Sequence, residues 1–370
     1  MNSNELMSLR EPFCFLEDSF EGASESPSRN VPVVKTLYVN HMGALIRRSQ
    51  GRIIVETEAD ENSLDFPEEH IRSIVVFGAT ALTSGARDWA LREGKDVHYL
   101  SYRGSYLGSL SSAHSIARGD RLRQQLSFCQ DAHRSLELSR EILRSKVHHQ
   151  ITLLRRYNYR EKSRTIERNI EAMVDMCGDM RLATTKQELM GFEGSCARVY
   201  FHSLSRLAPE ELRFEKRTRR PPLDIFNAAL SYGYAILLAE ATSALISAGL
   251  EPGLGVLHTA NSQNPRLSLA LDFVEEFRPY VVDLVVLQLT RRNYLTNDHG
   301  EAWASKPGGV LLNREGKRVV LNGYENRMIQ VQKGAIPAFS GSVRRIIYRQ
   351  AERLMLNITE SEPYRRILWR

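Results

Sequence analysis

The sequence predicts an α+β protein in two parts, a small N-terminal β domain followed by a larger helical domain. Three observations carry this. Short β-rich runs separated by turn signals fill residues 33–110. After residue 111 the periodicity changes to the three-to-four spacing of helices. At 370 residues, the chain is long enough for two ordinary domains, each with its own core.

In chain order, residues 1–30 are rich in Ser, Glu and Asn without sustained periodicity, and read as a flexible extension with a short apolar patch at 13–15. The β domain covers 31–112, with strands expected at 33–39, 45–47, 52–56, 71–77, 97–100 and 106–110, and turns at Gln50-Gly51 and Arg103-Gly104. One helix is expected within it at 80–92, with Leu82, Ala86, Trp89 and Ala90 on a common side. The all-α domain covers 113–370, with one or two long helices over 116–157 and further helices at 186–207, 222–248, 267–278 and 343–357. Pro222 suits the first turn of the helix at 222–248, and Pro279 is expected to close the one at 267–278.

Composition narrows the class. With 42% hydrophobic and 25% charged residues the chain reads as a soluble globular protein. Its formal charge of +6 is modest but uneven, since Arg, Lys and His crowd 134–168, 213–220 and the last thirty residues. That clustering suits a polyanion as well as a solvated basic face. Cys14, Cys129, Cys177 and Cys196 are scattered with no CxxC pair, which disfavours a zinc module or a disulfide scaffold and favours a reducing cytoplasm. No secretory signal is apparent, and the apolar span 228–250, interrupted by Glu240 and several Ser and Thr, reads as a buried core helix rather than a membrane span.

Three stretches carry chemistry. In 257–279, Asp272 and Glu275 stand at i and i+3 of one helix, so two like charges share a side. A hard cation such as Mg²⁺ or Mn²⁺ between them would relieve the repulsion, and His258 could close on the same ion. The alternative is a solvated acidic face with an ordinary loop histidine. Glu276, at i+4, shares that face, and periodicity does not separate it from Glu275. In 191–201, Glu193 lies between Gly191 and Gly194, small residues that admit a close approach and leave the acid uncrowded enough to bind a metal; a helix–helix contact is the other reading. In 217–240, Leu223, Phe226, Leu230, Tyr234 and Leu237 form a core stripe, while Lys216, Arg217, Arg219 and Arg220 beside a helix N-terminus make a candidate phosphate clamp. Asn227, Ser231 and Tyr232 either extend that clamp or serve as buried hydrogen-bonding groups.

The set GFEGSCARVYF, RRPPLDIFNAALSYGY, the LH pair at 257–258 and SLALDFVEEFRP resembles the CRISPR-associated endonuclease and integrase family that captures new spacers. LYVNHMGALIRR and IVVFGATALTSGARDWALREGKDVHYLS in the β domain are also similar to it, although the loop 261–266 lacks the glycine common before the SLALD segment. The resemblance implies a β domain that mediates a homodimer, a helical catalytic domain, and assembly with a small ferredoxin-like adaptation subunit into a heterohexamer-type complex in the prokaryotic cytoplasm. It implies that Glu193, His258 and an acid of the DxxE helix bind Mg²⁺ or Mn²⁺. The three-residue interval favours Glu275 as that acid, with Asp272 as a further site carboxylate. The implied reaction is attack by the 3′-hydroxyl of a captured double-stranded DNA fragment on a phosphodiester of the repeat, with hydrolysis as its side reaction and no covalent protein intermediate. A stand-alone metal-dependent nuclease on branched or single-stranded DNA is the alternative enzyme, and a non-catalytic DNA-binding scaffold the alternative outside enzymes.

Overall fold

The computed structural model describes residues 35–39, 43–57, 60–101, 106–110, 112, 118–258, 267–337 and 339–367. The extension 1–30, the patch at 13–15, the turn at Arg103-Gly104 and the loop 261–266 lie outside them. The chain divides into two compact units between His114 and Ser115.

The first unit is built from β1 (Lys35–Val39), β2 (Leu45–Ser49), β3 (Arg52–Thr57), β4 (Asp60–Pro67), β5 (Ile71–Phe77), β6 (Ala81–Leu82), α1 (Ser84–Arg92), β7 (Asp96–Leu100) and β8 (Tyr106–Leu110). One four-stranded sheet has the order β1-β5-β7-β8, the first three parallel and β8 antiparallel to β7. The other has the order β4-β3-β2-β6, with β2, β3 and β4 antiparallel and β6 parallel to β2. The β2–β3 hairpin turns at Gln50 and Gly51, both at positive φ (49° and 73°), the backbone that a two-residue hairpin needs for its twist. Both sheets and α1 feed one core, including Val39, Ile46, Ile53, Val55, Ile74 and Trp89. On β3 only alternate residues, Ile53 and Val55, are fully buried, whereas β5 buries Ile74, Val75, Val76 and Phe77 in a row, as a parallel strand covered on both faces does. The helix starts at Ser84, with Thr83 Oγ1 accepting from Ala86 N, so Leu82 belongs to β6 and not to the helical stripe. Strand β4 lies in the acidic DENSLDFP segment, where strand propensity gives no signal.

The second unit contains α2 (Arg118–Gln130), α3 (Ala132–Glu161), α4 (Arg164–Asp179), α5 (Lys186–Leu207), α6 (Ile225–Ser247), α7 (Ser268–Phe277), α8 (Leu284–Arg291), β9 (Gly300–Ala302), β10 (Val310–Leu312), α9 (Arg314–Ile329), β11 (Val331–Ile336), β12 (Phe339–Ser342) and α10 (Val343–Glu360). It is therefore mostly helical rather than all-α, because β9–β10 and β11–β12 form two small antiparallel pairs. Side-chain caps start the helices: Asp131 on α3, Ser163 on α4, Thr185 on α5, Asp224 on α6 and Ser342 on α10. Asp224 caps α6, so Pro222 precedes the helix instead of opening it. α6 is the core helix, apolar on nearly every side, and its Glu240 pairs with Arg344, which also reaches Glu325 (3.1 and 2.6 Å).

Pro279 does not end the chain's helical path. With no amide hydrogen to give to the carbonyl four residues back, it forces a looser turn, and the segment Arg278–Asp283 is π-helical before α8 continues. α7 and this turn pack on α3 and α6. Glu276, fully buried on α7, ties in the C-terminal segment: its Oε1 accepts from Ser145 Oγ (2.6 Å) and Ile367 N (2.8 Å), its Oε2 from Tyr364 OH (2.7 Å) and Gln350 Nε2 (3.1 Å).

Truncating this acceptor takes a partner from four buried donors, of which Gln350 Nε2 keeps its bond to the Arg365 carbonyl at 3.0 Å. Glu276→Ala is expected to lower the urea unfolding free energy by about 3 kcal/mol or more, and Glu276→Gln by less, read by circular dichroism. A loss within experimental error for Glu276→Ala would show that the network does not hold the segment.

Candidate metal centre and DNA cleft

The loop before His258 is shaped by a buried glutamine on α2, a glycine of its own and a carboxylate on α7. Gln125 on α2, wholly buried, donates through Nε2 to the carbonyls of Glu251 (2.9 Å) and Leu254 (3.0 Å) and accepts from Glu251 N at 2.9 Å. Gly255 crosses α7 so closely that a Cβ there would lie 2.6 Å from the Ser268 carbonyl carbon and 2.7 Å from Asp272 Oδ2. The Asp272 carboxylate then gathers the loop's amides. Its Oδ2 accepts from Val256 N (2.7 Å) and Leu257 N (2.9 Å), and its Oδ1 from His258 N (2.9 Å) and His258 Nδ1 (2.6 Å). An ionised carboxylate only accepts, so this contact fixes the Nδ1–H tautomer and leaves Nε2 as the ring's acceptor.

This corrects the expectation for Asp272. Its side chain is wholly buried and both oxygens are committed to the loop, so it orients His258 and is not placed to ligate an ion.

Glu275, one turn on, faces a different set. Its side chain, 5% exposed, pairs with Lys146 Nζ (Oε2, 2.7 Å) and with Arg278 Nη1 (Oε1, 2.5 Å). The same Lys146 ammonium lies 2.5 Å from Glu193 Oε1. Burial opposes ionisation of Glu275, but Arg278 and then Lys146 outweigh it and hold this carboxyl down at about 2. Burial likewise opposes charge on Lys146, and the Glu275 and Glu193 carboxylates reverse that, leaving its pKa raised. The result is an alternating row, Glu193, Lys146, Glu275, Arg278, drawn from α5, α3, α7 and the π-helical turn. Glu276 is absent from it, its carboxylate pointing into the Ser145, Tyr364 and Gln350 network, so the structure separates the two neighbouring acids.

Behind this row, Arg278 stacks over the Tyr234 ring at 5.0 Å and Arg217 lies over the same ring at 5.5 Å. Tyr234 and Tyr200 both donate to Asp283 (2.5 and 2.7 Å). Burial pushes the Asp283 carboxyl up to about 6 against the pull of those two hydroxyls.

Helix α5 runs straight through Gly191 and Gly194, and no heavy atom would lie within 4 Å of a Cβ at either. They are not a helix–helix contact. Gly194 instead borders a cleft of about 590 Å³ whose wall includes Arg198, His202, Lys216, Arg217 and Arg219. Lys216, Arg219 and Arg220 are exposed. Arg217, half-buried in the cleft wall, is instead tied up in hydrogen bonds within the chain. Arg217 donates to the Thr218 carbonyl, to Asn227 Oδ1 (2.9 Å) and to Ser231 Oγ (3.0 Å). Asn227, wholly buried, also accepts from Thr218 N (3.1 Å) and donates to the Lys216 carbonyl (3.0 Å) and Asp224 (2.6 Å), which makes it the organiser of this loop. Tyr232 is 3% exposed. Of the two readings open for Asn227 and Tyr232, the burial of both favours the structural one over DNA contact.

Sequence reasoning did not identify Lys146, Gln125, Arg278, Tyr234 or Asp283. Lys146 sits in a run that reads as a basic face, and Tyr234 in a core stripe. Gly255, three residues before His258, was the available signal for the tight loop, and Arg278, three residues after Glu275, for the ion pair.

Comparison with known proteins agrees with this architecture. The family described as CRISPR associated protein Cas1 matches residues 37–326. CRISPR-associated endonuclease Cas1 1 of Thermus thermophilus is 38% identical over 295 residues, which is 80% of this chain and 87% of the relative. Two solved structures share the fold. A casposase bound to integration product has a TM-score of 0.77 at 22% identity, covering 89% of this chain and 92% of the other. A chain of a Cas6-RT-Cas1–Cas2 complex has a TM-score of 0.77 at 24% identity, covering 93% of this chain and 37% of that longer one. By the extent of the family match and the identity to the Thermus endonuclease, the chain belongs to the Cas1 family of CRISPR-associated endonucleases.

Proposed function

We propose that this Cas1 protein is a divalent-metal-dependent DNA endonuclease and integrase that joins captured fragments to a CRISPR repeat by 3′-hydroxyl transesterification. The observation that carries the reading is the convergence of Glu193 and Glu275, from two different helices, on a single positive charge, with an imidazole whose Nδ1 is tied to Asp272 within electrostatic reach of Glu275.

The donors suit Mg²⁺ or Mn²⁺: two carboxylates already gathered about a cation, and a histidine held in the tautomer that offers Nε2. Among the described residues no three such groups are yet close enough to close on an ion, and the Lys146 ammonium holds the position between the acids. Glu193, His258 and Glu275 are the residues that would hold the metal. When bound, it supplies charge neutralisation at the scissile phosphate and a lower pKa for the attacking hydroxyl.

The protein's own groups do the rest. Asp272 keeps the imidazole oriented, and Arg278 keeps Glu275 ionised. Lys216, Arg219 and Arg220 hold DNA strands by their phosphates, contacts that position without reading sequence. In strand transfer, the 3′-oxygen of the fragment bonds to phosphorus as the repeat's own 3′-oxygen leaves. The attacker loses a proton and the leaving oxygen gains one, so no protein nucleophile is required. Hydrolysis is the same step with water as attacker. The likeness to a casposase bound to integration product supports the transfer reading, and the likeness to a chain of a Cas1–Cas2 complex supports work with a CRISPR adaptation partner. That this partner is a small ferredoxin-like subunit, and that the chain acts as a homodimer in the prokaryotic cytoplasm, is the part of the proposal carried by the family resemblance alone.

On supercoiled repeat DNA, with and without the partner subunit, Glu193→Ala, His258→Ala and Glu275→Ala are each expected to lower strand transfer by about 10²-fold or more, with EDTA abolishing the wild-type activity and Mg²⁺ or Mn²⁺ restoring it. Undiminished joining by folded versions of all three would refute the metal-centre assignment. Asp272→Asn, which replaces one accepting oxygen by a donor and so loosens both the 256–258 amides and the orientation of His258, is expected to cost about 10- to 100-fold in activity or metal affinity, and an unchanged rate would remove its positioning role. Replacing Arg219 and Arg220 together by alanine is expected to weaken DNA binding and to reduce the slope of log K against log[salt] by about two, measured by fluorescence anisotropy. An unaltered slope would place the DNA elsewhere.

A further inference from the structure

Lys146 stands at the point where a divalent cation would bind. Its Nζ is 2.5 Å from Glu193 Oε1 and 2.7 Å from Glu275 Oε2, and its side chain is 8% exposed. Arg278 supplies the second positive charge, on the other oxygen of Glu275. Two carboxylates against an ammonium and a guanidinium make a neutral pocket, so the two acids can be held together in the folded chain without any ion. Adding a divalent cation while the ammonium stays would leave an excess of two positive charges in a buried space. Ion and ammonium therefore compete for the same carboxylates.

We propose that Lys146 is an internal competitor of the divalent ion: it holds Glu193 and Glu275 in place in the metal-free protein and keeps the metal affinity of the centre low. The inference rests on the metal-centre reading above. The chemistry of the residue fits, since lysine carries a compact charge on a flexible four-carbon stem, able to withdraw where a planar guanidinium anchored by several donors would not. The route of exchange is also marked. Glu193 is the more open partner, 26% exposed against 5% for Glu275, so the Lys146–Glu193 pair is the one solvent and an incoming ion reach first. Glu275 keeps its Arg278 partner throughout the exchange. Lys146 is thus a positioning residue for the two acids, not a ligand.

The test is Mn²⁺ binding, followed by the loss of the free-ion electron paramagnetic resonance signal, together with melting temperatures in EDTA and in Mn²⁺. It compares wild type with Lys146→Met, Lys146→Gln, Lys146→Arg and Glu275→Gln. Lys146→Met is expected to bind Mn²⁺ about tenfold more tightly than wild type, while Lys146→Arg binds no more tightly. Its melting temperature is expected to fall in EDTA and to recover in Mn²⁺, a metal dependence that wild type shows only weakly. If Lys146→Met folds only with Mn²⁺ present, the same conclusion follows. Lys146→Gln, which retains a donor toward the acids, is judged by the same criterion should the methionine variant fail in both conditions. Affinity no tighter than wild type in both neutral variants, with Glu275→Gln losing the ion, would overturn the competitor role and leave the metal centre standing. Glu275→Gln binding Mn²⁺ as wild type does would instead overturn the metal-centre reading.

Discussion

Helix α7 buries three carboxylates within five residues, and the rest of the helical unit is arranged to compensate them. Asp272 and Glu276 have no exposed surface and Glu275 is 4% exposed. Moving an ionised carboxylate out of water costs several kcal/mol unless charge or hydrogen bonds replace the lost solvation. Each acid is satisfied by a different chemistry. Asp272 receives backbone amides and an imidazole, Glu275 two cations, and Glu276 neutral donors. Burial raises the pKa of Glu276 against the pull of those donors, whereas the cations beside Glu275 drive its pKa the other way. One short helix therefore presents a loop anchor, a charged site group and a core hydrogen-bond hub.

These compensations explain features with no direct part in chemistry. The tight loop at Gly255 and its fastening by Gln125 exist because three consecutive amides must reach one carboxylate. The π-helical turn after α7 places Arg278 beside Glu275 and Asp283 beneath Tyr200 and Tyr234, so the distortion begun by Pro279 falls between the charged row and the layer supporting it. Tyr234, with Arg217 and Arg278 over its ring, joins the wall of the cleft to the charged row through one aromatic side chain. The two neighbourhoods are in this sense one packed assembly, and a change at the loop of Arg217 bears on Arg278 through that ring.

How much of this was legible in the sequence depended on the length scale of each interaction. The switch from strand to helix, the ranges of most helices and the core role of α6 follow from local periodicity, and they were readable. β4 was not, because an acidic segment held by ladder hydrogen bonds leaves no hydrophobic pattern. Glu193, His258 and Glu275 were nominated from residue type and spacing together with the family resemblance. The roles of Asp272, Asn227 and Tyr232 could not be settled there, since a polar residue that binds a ligand and one that braces a loop look alike until their partners are known. Lys146 was hidden for the converse reason: its partners lie 47 and 129 positions away (193 − 146 and 275 − 146), and within its own helix it is one basic residue among many.

The choice between Glu275 and Glu276 shows where the missing information resides. Counted from Asp272, they stand at i+3 and i+4, which on a helix of 3.6 residues per turn lie on either side of it and about 100° from each other. Both share a face with Asp272, and yet they look into different compartments, so spacing along α7 cannot rank them. The ranking is written on α3, where Ser145 and Lys146 are also adjacent and also about 100° apart. The hydroxyl meets Glu276 and the ammonium meets Glu275. Matching two neighbouring residues on one helix to two on another decides which acid is solvated by neutral donors and which is drawn beside Glu193. The identity of the site carboxylate is thus a property of a helix pair, and exchanging the hydroxyl and the ammonium on α3 would be the change that misassigns it.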